Sequence, residues 1–297
     1  MLLLDLFTLY AARKLITGEE TTAIKYRVSI KHLGETVGRP AELTDLNDDA
    51  IALMLHKLIK QGRTPQTANG YRAKLLALWR FALNRGMMKC GPEIQKLPEP
   101  RRLPVAWSAD QLKAIFRACE LQSGWIGPVR APAFWRCLHL VLWDSAERVS
   151  AVLSARWQDC DTAGRWLTIR GEHRKGAASD VAYRLHDQTA RALEEIRFPE
   201  RELIFEWPGC KGTLWYRYRR LLKDAGLPHD RHHLFHAMRR SVASHAEQAG
   251  GDATALLGHS ARAITVQSYI SPTIAPRQQA CDILFRPDST DDGPRAA

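Results

Sequence analysis

No stretch of this chain approaches the ~18 uninterrupted apolar residues that a membrane-spanning helix requires. A membrane partner is therefore not expected. The opening MLLLDLFTLYAARKL carries its basic residues after the apolar run, the reverse of a secretory leader, so a cytoplasmic location is expected. Paired cysteines are missing too. Cys90, Cys119, Cys137, Cys160, Cys210 and Cys281 lie far apart with no Cys-x-x-Cys spacing, which excludes the usual zinc and dithiol motifs. They read as reduced, small core residues. Internal repeats are also lacking, and the one segment that reads as disordered is the tail 286–297, which ends STDDGPRAA.

Charge of one sign is scarce in one place. Between Asp49 and Glu93 there is no acidic residue, while Lys57, Lys60, Arg63, Arg72, Lys74, Arg80, Arg85 and Lys89 all fall there. A mixed-sign solvated face does not have this composition. Residues 1–102 hold 17 Lys and Arg against 10 Asp and Glu, and the whole chain has a formal charge of +11. A polyanion is the natural partner, because each phosphate neutralised by a cation releases condensed counterions.

What is present is ordinary globular sequence, 297 residues with 45% hydrophobic and 25% charged, long enough for two domains. Prolines at 92, 98, 100 and 104 sit in EIQKLPEPRRLPVAW, which has neither helical nor strand period and marks a connector. The expected division is a helical domain over 1–97, a linker over 98–106 and a second domain over 107–285. Before the connector, helical spacing predicts helices over 3–16, 20–34, 47–61 and 66–86. Asp45 or Asn47 can cap the third, Thr64-Pro65 can start the fourth, and the stripe Tyr71, Leu75, Leu78, Trp79, Ala82 reads as core.

After the connector, Ser108 with Gln111 forms a capping pattern that opens a helix over 109–120. Helices follow over 131–143 and 149–155. Two strand-like runs, 166–170 and 181–185, flank the turn GEHRKGAAS and predict a β-hairpin. Helical periods return over 187–196, 212–225, 236–249, 252–257 and 262–269. The fold class is therefore mainly α with a small β-hairpin or sheet.

The most distinctive stretch is HAMRRSVASHAEQAGGDATALLGHSARAITVQSYI, residues 236–270. It resembles the second signature box of the tyrosine recombinase (phage integrase) family, where His-x-x-Arg opens a helix, Leu-Gly-His follows a short helix and a Tyr comes about ten residues later. The matching positions are His236, Arg239, Leu257-Gly258-His259 and Tyr269. Upstream, DSAERVSAVLSARWQD is similar to the family's first box and puts its Arg at Arg148, with Arg156 as rival. Lys175, in the hairpin turn, matches the family's hairpin Lys, with Arg174 and Lys211 as neighbours that could be confused with it. The resemblance implies a helical, SAM-like core-binding domain and an α+β catalytic domain that clamp duplex DNA. It implies a catalytic set Arg148, Lys175, His236, Arg239, His259 and Tyr269, with Tyr269 as nucleophile; the acid-free basic interval adds expected phosphate contacts from Lys57, Lys60, Arg63, Arg72, Lys74, Arg80 and Arg85.

These residue types suit the chemistry on physical grounds. Attack on a phosphodiester gains mostly from positioning and from neutralising the non-bridging oxygens, and planar guanidiniums can each grip two oxygens. A phenol can form a covalent phosphate ester that keeps the bond energy for religation. A Lys can protonate the departing 5′ oxygen, and His236 and His259 can exchange a proton with the phenol and donate to the phosphate. No metal or other cofactor is required. The run His229, His232, His233, His236 fits no standard zinc spacing.

Three departures from the family pattern stand out: Ala146 where Gly is usual, Ala151 where an acid is common three residues after the Arg, and Arg240 for the second His of His-x-x-Arg-His. The resemblance further implies a homotetramer on two double-stranded DNA sites, with a monomer or weak dimer when free. Without an added N-terminal arm-binding domain, a minimal integrase, mobile-element recombinase or Xer-like resolvase is expected. A type IB topoisomerase-like relaxing enzyme and a catalytically silent DNA-binding regulator are the alternatives.

Overall fold

The computed structural model describes residues 1–15, 20–100, 102–174, 179–198 and 200–276. These fall into two compact units, Met1–Arg101 and one starting at Arg102. The architecture is mostly helical with two small antiparallel sheets, as the hydrophobic periods predict.

Unit one is built on α1 (Leu3–Lys14), α2 (Glu20–Val37), α3 (Asp48–Lys60) and α4 (Pro65–Leu83). Asn47 caps α3 by accepting the Ala50 amide at 2.8 Å, and Thr64 caps α4 with Pro65 in its first turn. Leu6, Leu33, Ile51, Met54, Leu75 and Leu78 meet in its core, fully shielded from solvent. The dipeptide Asn69-Gly70 would signal a turn, yet α4 runs straight through it. The side chain of Asn69 is committed elsewhere: it donates to the Leu97 carbonyl and accepts the Leu97 amide, both at 2.9 Å. Asp48 likewise accepts the amides of Glu93 and Ile94. The first part of the proline-rich connector is thus strapped to unit one by half-buried and exposed polar pairs rather than by regular structure.

Unit two comprises α5 (Ala109–Glu120), β1 (Trp125–Ile126), β2 (Val129–Arg130), α6 (Ala131–Ser145), α7 (Val149–Val152), β3 (Cys160–Asp161), β4 (Trp166–Ile169), β5 (Val181–Arg184), α8 (Asp187–Glu195), α9 (Lys211–Asp224), α10 (Phe235–Gln248), α11 (Ala253–Leu257) and α12 (Arg262–Ser268). The capping box at Ser108 and Gln111 forms with both bonds present. Helix α6 is apolar nearly all round and is buried accordingly, with Phe134, Trp135, Leu138 and Val141 at its centre. The predicted hairpin is present as β4 against β5, pairing Leu167 with Tyr183. Sequence reasoning missed β3 and the β1–β2 ribbon, because strands of two residues carry no readable alternation.

One expectation needs correcting. Cys119 and Cys137 are core residues, but Cys90 and Cys210 are exposed and Cys160 is half-buried; Cys281 lies outside the described residues. Among the described residues no helix is long and apolar enough to cross a membrane.

Candidate active site

The site is assembled where three helix termini converge in unit two. Helix α6 ends at Ser145, and Ala146 then adopts a left-handed backbone, φ 52° and ψ 17°. That conformation reverses the chain and is ordinarily glycine's, which explains why Ala146 is a departure from the family pattern. The reversal brings Glu147 inward and sets Arg148 as the N-cap of α7. Arg148 is half-exposed, and among the described residues no hydrogen bond or ion pair engages its guanidinium.

Arg239 lies one turn into α10. The start of that helix is pinned by Phe235, stacked on Tyr218 with ring centroids 3.8 Å apart and planes 5° apart. Farther along, Ser241 accepts the Trp107 amide at 2.6 Å and His245 meets the Trp107 carbonyl at 3.0 Å. Held this way, the Arg239 side chain is 2% exposed. Its guanidinium donates to the carbonyl of Ala146 and, at 2.9 Å, to that of Leu257. Both acceptors sit at helix C-terminal ends, of α6 and α11, where carbonyls lack intrahelical partners and the helix dipole is negative. A fixed cation therefore joins the two signature boxes.

Tyr269 follows immediately. It was expected inside the last helix, but α12 stops at Ser268 and Tyr269 is its C-cap residue. The side chain is 7% exposed, with its ring centroid 4.6 Å from that of His259, 5.2 Å from that of His236 and 5.7 Å from the Arg239 guanidinium carbon. Three backbone anchors hold this segment onto α10: Ser244 donates to the Tyr269 carbonyl at 3.1 Å and accepts the Ser271 amide at 2.9 Å, and Arg240 donates to the Ser268 carbonyl at 3.2 Å. The unusual Arg240 thus grips the turn that carries Tyr269, a contact that its position in the motif does not disclose. His259 Nδ1 is 2.9 Å from Thr265 Oγ1, which fixes the ring's direction.

The electrostatics follow from crowding like charges. His236 is exposed as a residue, but burial of its ring and the charges of Arg240, Arg239 and Arg148 push its pKa down to about 4. Its open edge moderates the burial contribution and leaves the guanidiniums in place, so the imidazole is neutral at pH 7. His259 is lowered in the same direction by burial, Arg239 and Arg148. Burial lowers Arg239 as well, against the opposing pull of Glu147, but a guanidinium remains charged.

The acid of this cluster is a residue that sequence reasoning passed over. Glu147 is 2% exposed and accepts from Arg174 Nε at 2.5 Å, Tyr183 Oη at 2.7 Å and the Arg148 amide at 3.0 Å. The oxygen that accepts the Arg148 amide is also 3.6 Å from Arg239 Nη1. Burial alone would raise its pKa; Tyr183, Arg174, the Arg148 amide and Arg239 together hold it below the usual range, so it is ionised. Its position in the first box, one residue before Arg148, was the available signal.

The structure therefore gathers Arg148, His236, Arg239, His259 and Tyr269. Lys175 lies outside the described residues, although its neighbour Arg174 reaches the cluster. The rival Arg156 is paired with Glu202 at 2.8 Å, and Lys211 opens α9. Among the described residues no group of three or more His, Cys, Asp and Glu is placed to share a metal ion. In unit one Lys57, Lys60, Arg63, Arg80 and Arg85 are exposed, with Lys57 donating to the Glu35 carbonyl and Arg85 lying over the Phe81 ring. Lys74 stands over Tyr26, and Arg72 turns inward to the Ile94 carbonyl.

Residues 107–274, more than half of the chain, match the model of the phage integrase family. A Pseudomonas aeruginosa protein assigned by name to the tyrosine recombinases, XerC, is 28% identical over 170 residues; the match covers 52% of this chain and 39% of that protein's length. Among solved structures, a lambda integrase tetramer bound to a Holliday junction aligns with TM-score 0.71 at 21% identity, covering 93% of this chain and 78% of that one. A lambda integrase fragment (75–356) dimer bound to a COC' core site gives 0.69 at 21% identity, over 90% and 95% of the two chains. The Tn1549 transposon integrase with circular intermediate DNA gives 0.72 at 13% identity, over 91% and 95%. With the family model spanning both signature boxes, the chain belongs to the phage integrase family, the tyrosine recombinases.

Proposed function

We propose that this protein cuts and rejoins duplex DNA at specific sites through a covalent 3′-phosphotyrosine on Tyr269. The observation that carries the reading is the packing of the Tyr269 ring against His236, His259 and the Arg239 guanidinium within one protomer. In this reading Arg148 and Arg239 bind the non-bridging oxygens of the scissile phosphate and stabilise the charge that builds there during in-line attack. Arg148 presents the open guanidinium and Arg239 the rigid one.

The Tyr269 hydroxyl forms the new P–O bond as the bond to the 5′ oxygen breaks. Neutral His236 accepts the phenol proton, and His259 donates a hydrogen bond to the phosphate. Lys175 delivers a proton to the departing 5′ oxygen. The products are a 3′-phosphotyrosine and a free 5′ hydroxyl, and attack by a 5′ hydroxyl from a second duplex reverses each transfer. No step calls for a metal ion. The helical unit, expected over 1–97, supplies sequence-independent phosphate contacts through its exposed lysines and arginines. Recombination proceeds in a homotetramer on two double-stranded DNA sites, formed from a monomer or weak dimer.

A nicked suicide substrate, which loses its 5′ end after cleavage, tests the proposal. Wild type should accumulate a covalent protein–DNA band, and Tyr269→Phe should give none while binding the same DNA. A covalent band of undiminished yield from Tyr269→Phe would overturn it.

A further inference from the structure

We propose that Glu147 is a positioning residue that ties the β4–β5 loop to the guanidinium pair through Arg174. It takes over the work of the carboxylate that the family commonly carries three residues after Arg148. The inference rests on the reading of Tyr269, Arg148 and Arg239 given above.

At the usual acidic position this chain has Ala151, buried among apolar neighbours. The nearest buried carboxylate is four residues earlier, at Glu147, on the far side of Arg148. Each of its oxygens is used. One receives Arg174 Nε from the loop and Tyr183 Oη from β5; the other receives the Arg148 amide and faces Arg239. Among the described residues no other acid forms an ion pair with Arg174 or Arg239. A single charge therefore joins the loop that follows β4, the strand that returns from it and the two boxes.

Arg174 extends the link in two directions. Its Nη1 donates to the Ser179 carbonyl, across the loop's other arm, at 3.3 Å. Its Nη2 lies beside Gly258, where a side-chain Cβ would approach it to 3.5 Å. Gly258 has φ +65° and immediately precedes His259, a left-handed conformation that glycine adopts without strain, and a Cβ there would stand in ordinary van der Waals contact with the guanidinium. Arg174 thereby lies against the turn that presents His259. Losing the Glu147 charge would release Arg174 from the site, and with it the loop that carries the proposed proton donor for the leaving 5′ oxygen. The phosphate clamp itself would keep Arg148 in place and Arg239 on its two carbonyls.

Single-turnover cleavage by the full chain tests this. Glu147→Gln, close to isosteric, should slow covalent adduct formation by about 10- to 100-fold, the usual cost of losing a group that orients a catalytic one. DNA affinity should stay within about twofold. Arg174→Gln should show a loss of the same size, and the double variant should be no slower than the worse single, because both remove one link. A substrate with a bridging 5′ sulfur, whose leaving group departs without a proton, should restore each variant to near the wild-type rate on that substrate.

Additive losses in the double variant, or losses that sulfur fails to rescue, would overturn the assignment. Should Glu147→Gln not fold, as a thermal melt would reveal, Arg174→Gln decides alone: a sulfur-rescued loss supports the link and an unchanged rate refutes it. Tyr269→Phe separates the two levels. An adduct from that variant would sink the recombinase reading, whereas wild-type speed from Glu147→Gln with Tyr269→Phe inert would sink this inference only.

Discussion

The two units handle positive charge in opposite ways. In unit one Lys57, Lys60, Arg63, Arg80 and Arg85 stand outward, and within the acid-free interval from Ala50 to Pro92 no carboxylate neighbours them in sequence. In unit two the important cations are gathered inward: Arg239 and Arg174 are bound to carbonyls and to the buried Glu147, and the imidazoles beside them are held neutral. Exposed cations remain hydrated and mobile and trade readily with counterions, which suits binding a uniform backbone. Ordered, desolvated charges cannot reorganise, which suits stabilising one developing charge distribution. Binding and chemistry should therefore be separable by mutation.

The largest effects should come from the guanidinium pair. Arg148→Ala and Arg239→Ala should each cut first-turnover cleavage by about 10²- to 10³-fold, measured on the suicide substrate, with affinity for intact DNA nearly unchanged. They should differ in stability. Arg148 has no partner to lose among the described residues, whereas Arg239→Ala strands two helix-end carbonyls and Glu147, and should cost about 3–5 kcal/mol in denaturant unfolding. Equal melting of the two variants would break the distinction between an open and a structural guanidinium.

An intermediate effect is expected in unit one. Replacing Lys60, Arg63 or Arg80 by Gln should lower the slope of log affinity against log salt by up to about 0.9 for each phosphate that is no longer neutralised, with the cleavage rate at saturating DNA unaltered. Arg72 tests the boundary of that set. It belongs to the basic interval, yet its guanidinium is turned to the Ile94 carbonyl. Arg72→Ala should reduce stability by about 1–3 kcal/mol and leave the salt slope close to wild type.

Smallest of all should be Ala146→Gly. The left-handed backbone costs an alanine about 1 kcal/mol, but its methyl is fully buried and that burial contributes about 0.8 kcal/mol. The two nearly cancel, so thermal unfolding should move by less than about 1 kcal/mol. This balance explains how an alanine is tolerated where glycine is usual.

Much of this was legible in the sequence. Helix caps at Asn47, Thr64 and Ser108 depend on local chemistry and were readable. Arg148, His236, Arg239, His259 and Tyr269 could be picked out because the order and spacing of residue types resemble a known pattern. What was not legible depends on tertiary neighbours. Glu147 is one acid beside Arg148 with no partner in its own stretch of sequence until Arg174 and Tyr183, respectively 27 and 36 residues away, are brought onto it. Arg72 is indistinguishable from its basic neighbours in composition and differs from them in direction.

The central claim is chemical, and peptide mapping of the trapped adduct tests it most directly. After nuclease trimming and proteolysis, the residual nucleotide should be esterified to the phenol of Tyr269 and should resist hydroxylamine. A nucleotide carried instead by Tyr183, Tyr216 or any serine would contradict the account.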